Sequence, residues 1–354
     1  MGRVMRISEI DKNFAHPSSI ERENLEFIPL GDPRFSLYGV SFDGECLCRM
    51  PRSVAESVSV GVAALSRHTA GGRIRFRTDS PYVAIRVKLN SVSHFSHMPY
   101  TGVSGIDMYI SREGKPEFVG CFAPPGDNPH TEEYEGVKDL GEGLHEITLN
   151  LPLYAGVDSL LIGLRSGSLI EKPSPYKTEK PVVFYGSSIT QGGCASRAGM
   201  TYEAFLSSWL DFDYINLGFS GSAKAESEMA EYIAGLDMSA FVLDYDHNSP
   251  SVEHLLATHS RFLEIIRAKN PTLPILILTT PSRIDNREER LGVIKKTYTR
   301  QKANGDQNIY FIDGRTLFDF CMCDGTVDGV HPTDLGFFSM AQKIYPVLKE
   351  MLQK

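Results

Sequence analysis

The stretch VVFYGSSITQG, residues 182–192, starts as an apolar run typical of a buried strand and passes directly into a turn of small residues. Ser188 lies in that turn. Near the other end of the chain, DGVHPT, residues 328–333, places an Asp and a His three positions apart. Acyl transfer uses these three side chains, because a Ser is a weak nucleophile until a His takes its proton, and the His needs an Asp to fix its tautomer. The two stretches therefore predict Ser188 as a nucleophile, His331 as its base and Asp328 as the partner of His331.

The chain from residue 176 onward alternates between strand-like and helix-like stretches. The predicted strands are 182–185, 214–217, 240–244, 275–279 and 309–312, and the predicted helices are 201–210, 223–236, 252–269, 287–303 and 333–352. This alternation predicts a parallel sheet covered by helices on both faces, with its site at the carboxyl ends of the strands. Ser188, residues 218–221 and residues 244–248 all follow predicted strands.

The first half of the chain has the pattern of strands with one buried face. Residues of opposite character alternate strictly from position 73 to position 78: Arg73, Ile74, Arg75, Phe76, Arg77 and Thr78. We expect the three arginines to face solvent. Residues 54–65 fit either a helix or a strand. The natural architecture is an all-β sandwich or jelly roll over residues 1–175, followed by the α/β domain over residues 176–354, with a proline-rich, charged linker at 172–181.

The composition is that of an ordinary globular protein, and it limits the partners. The 354 residues are 42% hydrophobic and 23% charged, with a net charge of -8. This charge argues against nucleic acid or an anionic membrane and is compatible with a small or neutral ligand. The six cysteines are too sparse for a disulfide scaffold, so we expect buried or free thiols. Residues 1–13 lack the apolar core of a signal peptide and no apolar run could span a bilayer, so we expect a cytoplasmic protein.

A tetrahedral intermediate also needs hydrogen-bond donors for its oxyanion, and backbone N–H groups or an Asn amide are typical. Two segments that follow predicted strands offer such donors. Residues 216–221 include glycines, where a backbone amide can approach a substrate closely, and residues 244–250 include an asparagine. Gly221 and Asn248 are therefore the candidate oxyanion residues.

These short blocks, in this order, resemble the SGNH (GDSL-type) hydrolase superfamily. The first block of that family, Gly-Asp-Ser-Leu-Thr-x-Gly, corresponds to residues 186–192, its second-block glycine to Gly221, its third-block asparagine to Asn248 and its Asp-x-x-His block to residues 328–331. The resemblance covers residues 181–354. It implies a flavodoxin-like α/β domain, ester hydrolysis through Ser188, and an oxyanion hole made by the N–H groups of Ser188 and Gly221 with the Asn248 amide. It implies no cofactor.

Two positions depart from the family pattern. Ser187 stands where the family has an Asp before the nucleophile, and this change leaves the nucleophile in place. The third block normally reads Gly-x-Asn-Asp, whereas here Asp246 and His247 precede Asn248 and a Ser-Pro pair follows it. The pose of the Asn248 side chain is therefore left open.

The first half resembles, in architecture and order alone, the β-sandwich that precedes the SGNH domain in some carbohydrate esterases. This implies small O-acyl groups, above all acetyl groups, on a carbohydrate as the substrate. Two alternatives stay open: a lysophospholipase or small-ester hydrolase, and a carbohydrate-binding protein whose α/β half is catalytically dead. No Gly-x-Ser-x-Gly nucleophile elbow is present, which argues against the α/β-hydrolase fold. No metal is expected, because His247, His254 and His259 fit no metal-binding motif.

Each motif also has a purely structural interpretation. The Gly-Ser-Ser turn could be a tight loop, residues 328–333 could be a loop with Thr333 as a helix cap, and Gly221 and Asn248 could be turn formers. The order and combination of the motifs favour the chemical interpretation, which no single motif would carry.

Overall fold

The structure is a computed structural model that describes residues 5, 7–11, 20–112, 114–126 and 128–353. The strands are β1 (Leu25–Pro29), β2 (Ser36–Tyr38), β3 (Ser41–Phe42), β4 (Leu47–Cys48), β5 (Arg73–Thr78), β6 (Tyr82–Val92), β7 (Ile106–Arg112), β8 (Lys115–Phe122), β9 (Glu133–Asp139), β10 (His145–Asn150), β11 (Ala155–Arg165), β12 (Ile170–Glu171), β13 (Thr178–Gly186), β14 (Phe212–Gly218), β15 (Ala240–Asp244), β16 (Ile275–Leu278) and β17 (Ile309–Ile312). The helices are α1 (Ile7–Ile10), α2 (Arg52–Val58), α3 (Val60–Leu65), α4 (Tyr100–Val103), α5 (Ser188–Gln191), α6 (Tyr202–Leu210), α7 (Ser227–Ala234), α8 (Val252–Lys269), α9 (Arg287–Ala303) and α10 (Asp334–Met351).

The first half of the chain contains two antiparallel sheets that share one apolar core. Their strand orders are β1-β11-β6-β9 and β12-β5-β10-β7-β8, with β2 also paired to β5. Ile74 and Phe76 of β5 lie in the same buried cluster as Ile85 of β6, so side chains from the inner faces of the two sheets pack together. The expected two-sheet arrangement of antiparallel strands is present, and the finer jelly-roll description stays a prediction.

Residues 54–65, which fit a helix or a strand, form two short helices that meet at Ser59. This residue is extended and ends α2, while its side chain accepts a hydrogen bond from the Val62 N–H of α3 at 3.1 Å. Both helices contact the second half of the chain, because Ala55 and Val62 share a buried cluster with Met229 of α7. The first half is therefore not entirely β.

The expectation that the arginines of β5 face solvent is wrong for two of the three. Arg73 is 2% exposed and Arg75 is 8% exposed. The Arg73 guanidinium lies 3.8 Å from the centroid of the Tyr214 ring and pairs with Asp213, and both partners belong to β14. Arg75 lies 4.2 Å from the centroid of the Tyr176 ring. A two-residue period distinguishes two strand faces, but it does not say whether water or another domain covers the polar face.

The second half of the chain forms a five-stranded parallel sheet in the order β14-β13-β15-β16-β17. This is the 2-1-3-4-5 order of flavodoxin-like folds, so that prediction is confirmed. Helices α5, α6 and α10 contribute to the core on one face, and α7, α8 and α9 contribute to the core on the other. The strands β14 and β15 lie on opposite sides of β13, so the connections that leave β13 and β14 run in opposite directions across the sheet. Ligands bind in such sheets at the carboxyl ends of the strands where this change occurs.

The segment expected to be a linker, 172–181, is partly a strand. β13 begins at Thr178, whose N–H donates to the Asp211 carbonyl at 3.1 Å, and the strand bulges before it pairs regularly from Val182 onward.

Among the described residues, no helix combines the length and the apolar character needed to cross a bilayer. The expectation of no signal peptide rests on residues 1–13, of which only 5 and 7–11 are described.

Candidate active site

Ser188 lies at the carboxyl end of the central strand β13, in the turn that leads into α5. The hydroxyl oxygen of Ser187 accepts a hydrogen bond from the Ile189 N–H at 3.2 Å, so the residue that replaces the family's Asp caps this one-turn helix. Gly192 ends the helix with φ +97°, a conformation that favours glycine. These contacts fix the backbone on both sides of Ser188.

The stretch 328–331 is a tight turn that presents a carboxylate and an imidazole together. One carboxylate oxygen of Asp328 accepts hydrogen bonds from the backbone N–H groups of Val330, at 2.9 Å, and His331, at 2.7 Å. Its other oxygen lies 2.7 Å from Nδ1 of the His331 ring. Gly329 makes the turn with φ +87°. Thr333, two residues after His331, caps α10, so the chemical interpretation and the loop-and-cap interpretation of residues 328–333 are compatible.

The two stretches meet, because Nε2 of His331 lies 2.9 Å from Oγ of Ser188. The structure therefore joins Ser188, His331 and Asp328 in one chain of hydrogen bonds. Burial alone would raise the pKa of Asp328, but hydrogen bonds from the His331 ring and from the His331 and Val330 amides outweigh it and lower the pKa to about 2. Asp328 is thus ionised at neutral pH and holds the proton of His331 on Nδ1, which leaves Nε2 as the acceptor facing Ser188.

The two predicted oxyanion residues lie on loops that touch each other. The Asn248 side-chain amide donates to the Phe219 carbonyl at 2.8 Å, which ties the loop after β15 to the loop that carries Gly221. Gly221 is exposed with φ +64°. Within the described chain, the N–H groups of Ser188 and Gly221 and one amide hydrogen of Asn248 have no acceptor, so all three are available to a ligand.

The pose of Asn248, which the unusual third block left open, is set by a buried ion pair. Asp246 is 2% exposed, its carboxylate lies 3.0 Å from Nε of Arg290, and it accepts a further hydrogen bond from the Thr280 N–H at 3.0 Å. Arg290 also donates to the Ser249 carbonyl at 2.9 Å. The Asp that precedes Asn248 therefore anchors the turn that presents it. Nothing in the sequence pattern connects Arg290, which lies on α9, with this turn.

Arg49, from the first half of the chain, holds the strand that leads to Gly221. Its guanidinium donates to the carbonyls of Asn216, at 3.1 Å, and Gly218, at 2.6 Å, at the end of β14. It also donates to the carbonyls of Leu65 and His68. Burial lowers the pKa of Arg49 to about 9, so the side chain is still charged at neutral pH. No sequence pattern identifies Arg49, because a single Arg beside a strand gives no indication of a contact 167 residues away.

The first half of the chain also reaches the nucleophile turn itself. The hydroxyl of Tyr154 lies 2.7 Å from Oγ of Ser220 and donates to the Ser188 carbonyl at 3.4 Å. The Gln191 side chain accepts from the Ser220 N–H at 3.0 Å and donates to the Leu153 carbonyl at 3.2 Å. The loops that bear Ser188 and Gly221 are thus braced by residues outside the α/β half.

One wall of the site is formed by residues 94–98, which follow β6. The His97 ring lies 6.0 Å from the His331 ring, centroid to centroid, and Nε2 of His97 is 3.8 Å from the Asp328 carboxylate. Phe95 packs edge-on against Tyr154 at 5.1 Å. No sequence pattern identifies His97 as a neighbour of His331, because the two residues are far apart along the chain.

A cysteine, Cys194, also lies near His97 and His331. It has φ +74°, unusual for a residue with a side chain, and its N–H donates to the Met98 sulfur at 3.5 Å. Burial, helped by the negative charge of Asp328, raises the pKa of Cys194 to about 12. The thiol is therefore protonated at neutral pH and is a poor nucleophile.

Two groups of side chains among the described residues have the spacing of metal ligands: His97 with Cys194 and His331, and Asp43 with Cys46 and Cys48. Neither contains His247, His254 or His259, the three histidines that were tested against metal-binding motifs in the sequence. His247 and His254 contact hydroxyl groups, and His259 stacks on Tyr245 with its ring 5.8 Å away. The cysteines are free thiols, as expected.

A flavodoxin-like sheet with a linked Ser, His and Asp at the carboxyl ends of its strands is the arrangement expected of an acylhydrolase of the α/β class. The chain belongs to the GDSL-like lipase/acylhydrolase family, whose model matches residues 179–349, and it is an SGNH-type esterase. A second model, for the N-terminal region of SGNH hydrolase-type esterases, matches residues 32–170. No curated protein matches the chain.

Several solved structures are similar to this chain over nearly its full length. A GDSL-like lipase from Bacteroides ovatus is 32% identical with a TM-score of 0.84, covering 93% of this chain and 98% of the other. A salicylyl-acyltransferase from a tetracycline biosynthetic pathway is 20% identical with a TM-score of 0.75, covering 94% and 100%. A family two carbohydrate esterase from Clostridium thermocellum, in complex with cellohexaose, is 14% identical with a TM-score of 0.63, covering 90% and 99%. The last two share the fold.

Proposed function

We propose that this esterase removes small O-acyl groups, above all acetyl groups, from carbohydrate through an acyl-enzyme on Ser188. The observation that carries the proposal is the hydrogen-bond chain from Oγ of Ser188 through the His331 ring to the Asp328 carboxylate. Such a chain activates a hydroxyl that is otherwise a weak nucleophile.

In the first step, Oγ of Ser188 attacks the ester carbonyl while its proton passes to Nε2 of His331. The imidazolium that forms is stabilised by Asp328, which is already held ionised by the amides of Val330 and His331. The carbonyl oxygen becomes an oxyanion, which accepts hydrogen bonds from the N–H groups of Ser188 and Gly221 and from the Asn248 amide.

The tetrahedral intermediate then collapses. The bond from the carbonyl carbon to the alcohol oxygen breaks, and the leaving alcohol takes the proton from His331. Water next gives a proton to His331 and attacks the acyl-enzyme, which releases the free acid and returns the proton to Ser188. Every step uses side chains and amides of this chain, together with the ester and one water molecule.

A small acyl group is supported by crowding beside the nucleophile. A methyl group placed on Gly193 would lie 3.0 Å from the Ser188 carbonyl oxygen, 3.0 Å from the Tyr154 hydroxyl and 3.1 Å from Cδ2 of His331. These atoms belong to packed or hydrogen-bonded groups, so there is little space beside Gly193, on the side of the nucleophile that faces His331.

A carbohydrate as the alcohol is supported by the shared two-part fold and by the side chains that line the wall of the site. The likeness to a carbohydrate esterase extends over 90% of this chain, including its first half. That half supplies Phe95 and His97, whose rings and, in His97, polar atoms suit the alternating apolar and hydroxyl surfaces of a sugar.

The test is kcat/KM for aryl acetate, butyrate and octanoate measured side by side, followed by release of acetate from acetylated sugars. We expect the acetate ester to be the best of the three, because each misfitting methylene step in a packed pocket costs about 1–3 kcal/mol. A preference for octanoate would favour the lysophospholipase alternative. Binding of acetylated sugar with no release of acetate would favour the catalytically dead carbohydrate-binding alternative. Ser188→Ala is the control for background hydrolysis.

A further inference from the structure

The catalytic His331 belongs to a second constellation that the hydrolytic reaction does not use. One ring nitrogen of His331, one ring nitrogen of His97 and the Cys194 sulfur all lie within 4.8 Å of one another. We call these residues the His97–Cys194–His331 cluster. Two imidazoles and a thiol are the donors that Zn²⁺ binds in proteins, and three protein ligands with one open position is a common zinc arrangement.

We propose that the His97–Cys194–His331 cluster is a binding site for a divalent cation of the Zn²⁺ type, and that occupancy of this site switches off ester hydrolysis. The binding rests on the cluster alone, whereas the switching also rests on the proposed function.

The cluster already has the outer support that a metal-binding histidine needs. The Nδ1 of His331 faces the Asp328 carboxylate at 2.7 Å, and a carboxylate on one ring nitrogen is the usual partner of a His that binds zinc through the other. The proposed ligand atom is therefore Nε2 of His331, which faces Oγ of Ser188 at 2.9 Å, so the ion would take the place of that contact. Cys194 is held in a left-handed backbone conformation at φ +74°, beside the Met98 sulfur.

The three donor atoms lie within 4.8 Å of one another and must come closer together to bind one ion. Ligand atoms in a tetrahedral zinc site lie about 3.4–3.7 Å apart, given bonds of about 2.0–2.3 Å. The side chain of His97 is 36% exposed and belongs to the loop after β6, so it can move toward the other two ligands. On binding, the Cys194 thiol gives its proton to solvent and the thiolate sulfur takes the cation, so charge and protons balance.

Occupancy is incompatible with catalysis for a simple reason. The lone pair on Nε2 of His331 that must accept the Ser188 proton is the same lone pair that would bind the cation. The other metal-like group, Asp43 with Cys46 and Cys48, is less suited to a cation, because the Arg52 guanidinium already lies 2.9 Å from the Asp43 carboxylate. It serves as an internal control.

The first experiment measures binding without catalysis. Co²⁺ is titrated into the Ser188→Ala variant, and the absorption of a cobalt–thiolate bond is followed. We expect one saturable equivalent. Adding Cys194→Ala should abolish the thiolate band, and adding His97→Ala should weaken binding by at least about 10-fold, since even outer-shell changes cost 10–100-fold in metal affinity. Adding Cys48→Ala should change neither. His97 is exposed, so its variant is expected to fold; a thiolate band that survives Cys194→Ala would overturn the site.

The second experiment adds Zn²⁺ during hydrolysis of an aryl acetate and then removes the ion with a chelator. Each variant is compared with its own ion-free rate. We expect reversible loss of activity in the unmodified enzyme, and an inhibitory concentration at least about 10-fold higher in His97→Ala. Cobalt binding together with hydrolysis that resists saturating Zn²⁺ would overturn the switch. Cobalt binding in a protein without any hydrolysis would instead count against the proposed function.

Discussion

At the scale of single residues, the site depends on side chains that use one hydrogen bond to hold their orientation and keep another donor or acceptor for the substrate. The Asn248 amide has two hydrogens, and one of them is held by the Phe219 carbonyl at 2.8 Å. That bond orients the amide plane, so the other hydrogen points in one direction before any substrate arrives. Preorganised donors of this kind act mainly on the charge that develops in the transition state.

Asn248→Ala should therefore lower kcat by about 10²–10³ with a smaller change in KM, as expected for the loss of one oxyanion donor. Steady-state kinetics on an aryl acetate would measure both constants. Asn304→Ala, an exposed position at the far end of α9, is the matched control and should leave them unchanged. An unaltered kcat in Asn248→Ala would mean that Asn248 is only a turn residue.

At the scale of secondary-structure elements, much of the α/β half follows from the sequence. The bounds of β15, β17, α8 and α9 coincide with the predicted ones, because buried parallel strands are short apolar runs and the helices have clear periodicity. The carboxyl ends of the strands then place Ser188, Gly221 and Asn248 near one another. The sequence pattern could not predict that Arg290 and Arg49 are buried, because the carbonyl and carboxylate groups that they bind are distant in sequence.

The end of β15 contains a buried carboxyl that should make stability depend on pH. Burial raises the pKa of Asp244 to about 7, against the lowering effect of hydrogen bonds from Thr190 and Tyr202. The folded state therefore retains this proton longer than the unfolded state, whose pKa is 3.8. The contribution of Asp244 to stability is fully present below pH 4 and is lost as the pH rises toward 7, by at most about 4 kcal/mol.

Asp244→Asn removes this titration while keeping the shape of the side chain. The free energy of unfolding of the variant minus that of the unmodified protein should be larger at pH 8 than at pH 4.5, because only the unmodified protein loses stability as the pH rises. Urea denaturation at the two pH values measures the difference. An equal difference at both values would mean that Asp244 titrates normally in the folded protein.

At the scale of the whole molecule, the two halves are joined by polar side chains that would be expensive to leave unpaired. Arg73 of β5 stacks on Tyr214, pairs with Asp213, and donates to the carbonyls of Gly71 and Tyr214. Arg49 and Tyr154 extend this junction to the loops of the site. The strict alternation in β5 predicts the polar face correctly but gives no sign that the second half of the chain covers it, because such contacts are long-range in sequence.

Arg73→Ala should destabilise the protein by about 3–5 kcal/mol, because it leaves the largely buried Asp213 carboxylate without its partner. Arg77→Ala is the matched control on the same strand. Its side chain is 37% exposed and pairs with Glu171 at 3.4 Å, so the expected cost is below about 1 kcal/mol. Chemical denaturation of the two variants would give both costs, and similar values would contradict the structural role assigned to Arg73.

The whole mechanism depends on Ser188 as the nucleophile, and covalent labelling identifies a nucleophilic serine without relying on a particular substrate. The protein is treated with a fluorophosphonate, and the modified residue is located by peptide mass spectrometry. One adduct on Ser188 is expected, lost together with ester hydrolysis in Ser188→Ala and retained in Ser187→Ala, where only a helix cap is removed. An adduct on another residue, or near-normal hydrolysis by a correctly folded Ser188→Ala variant, would contradict the account.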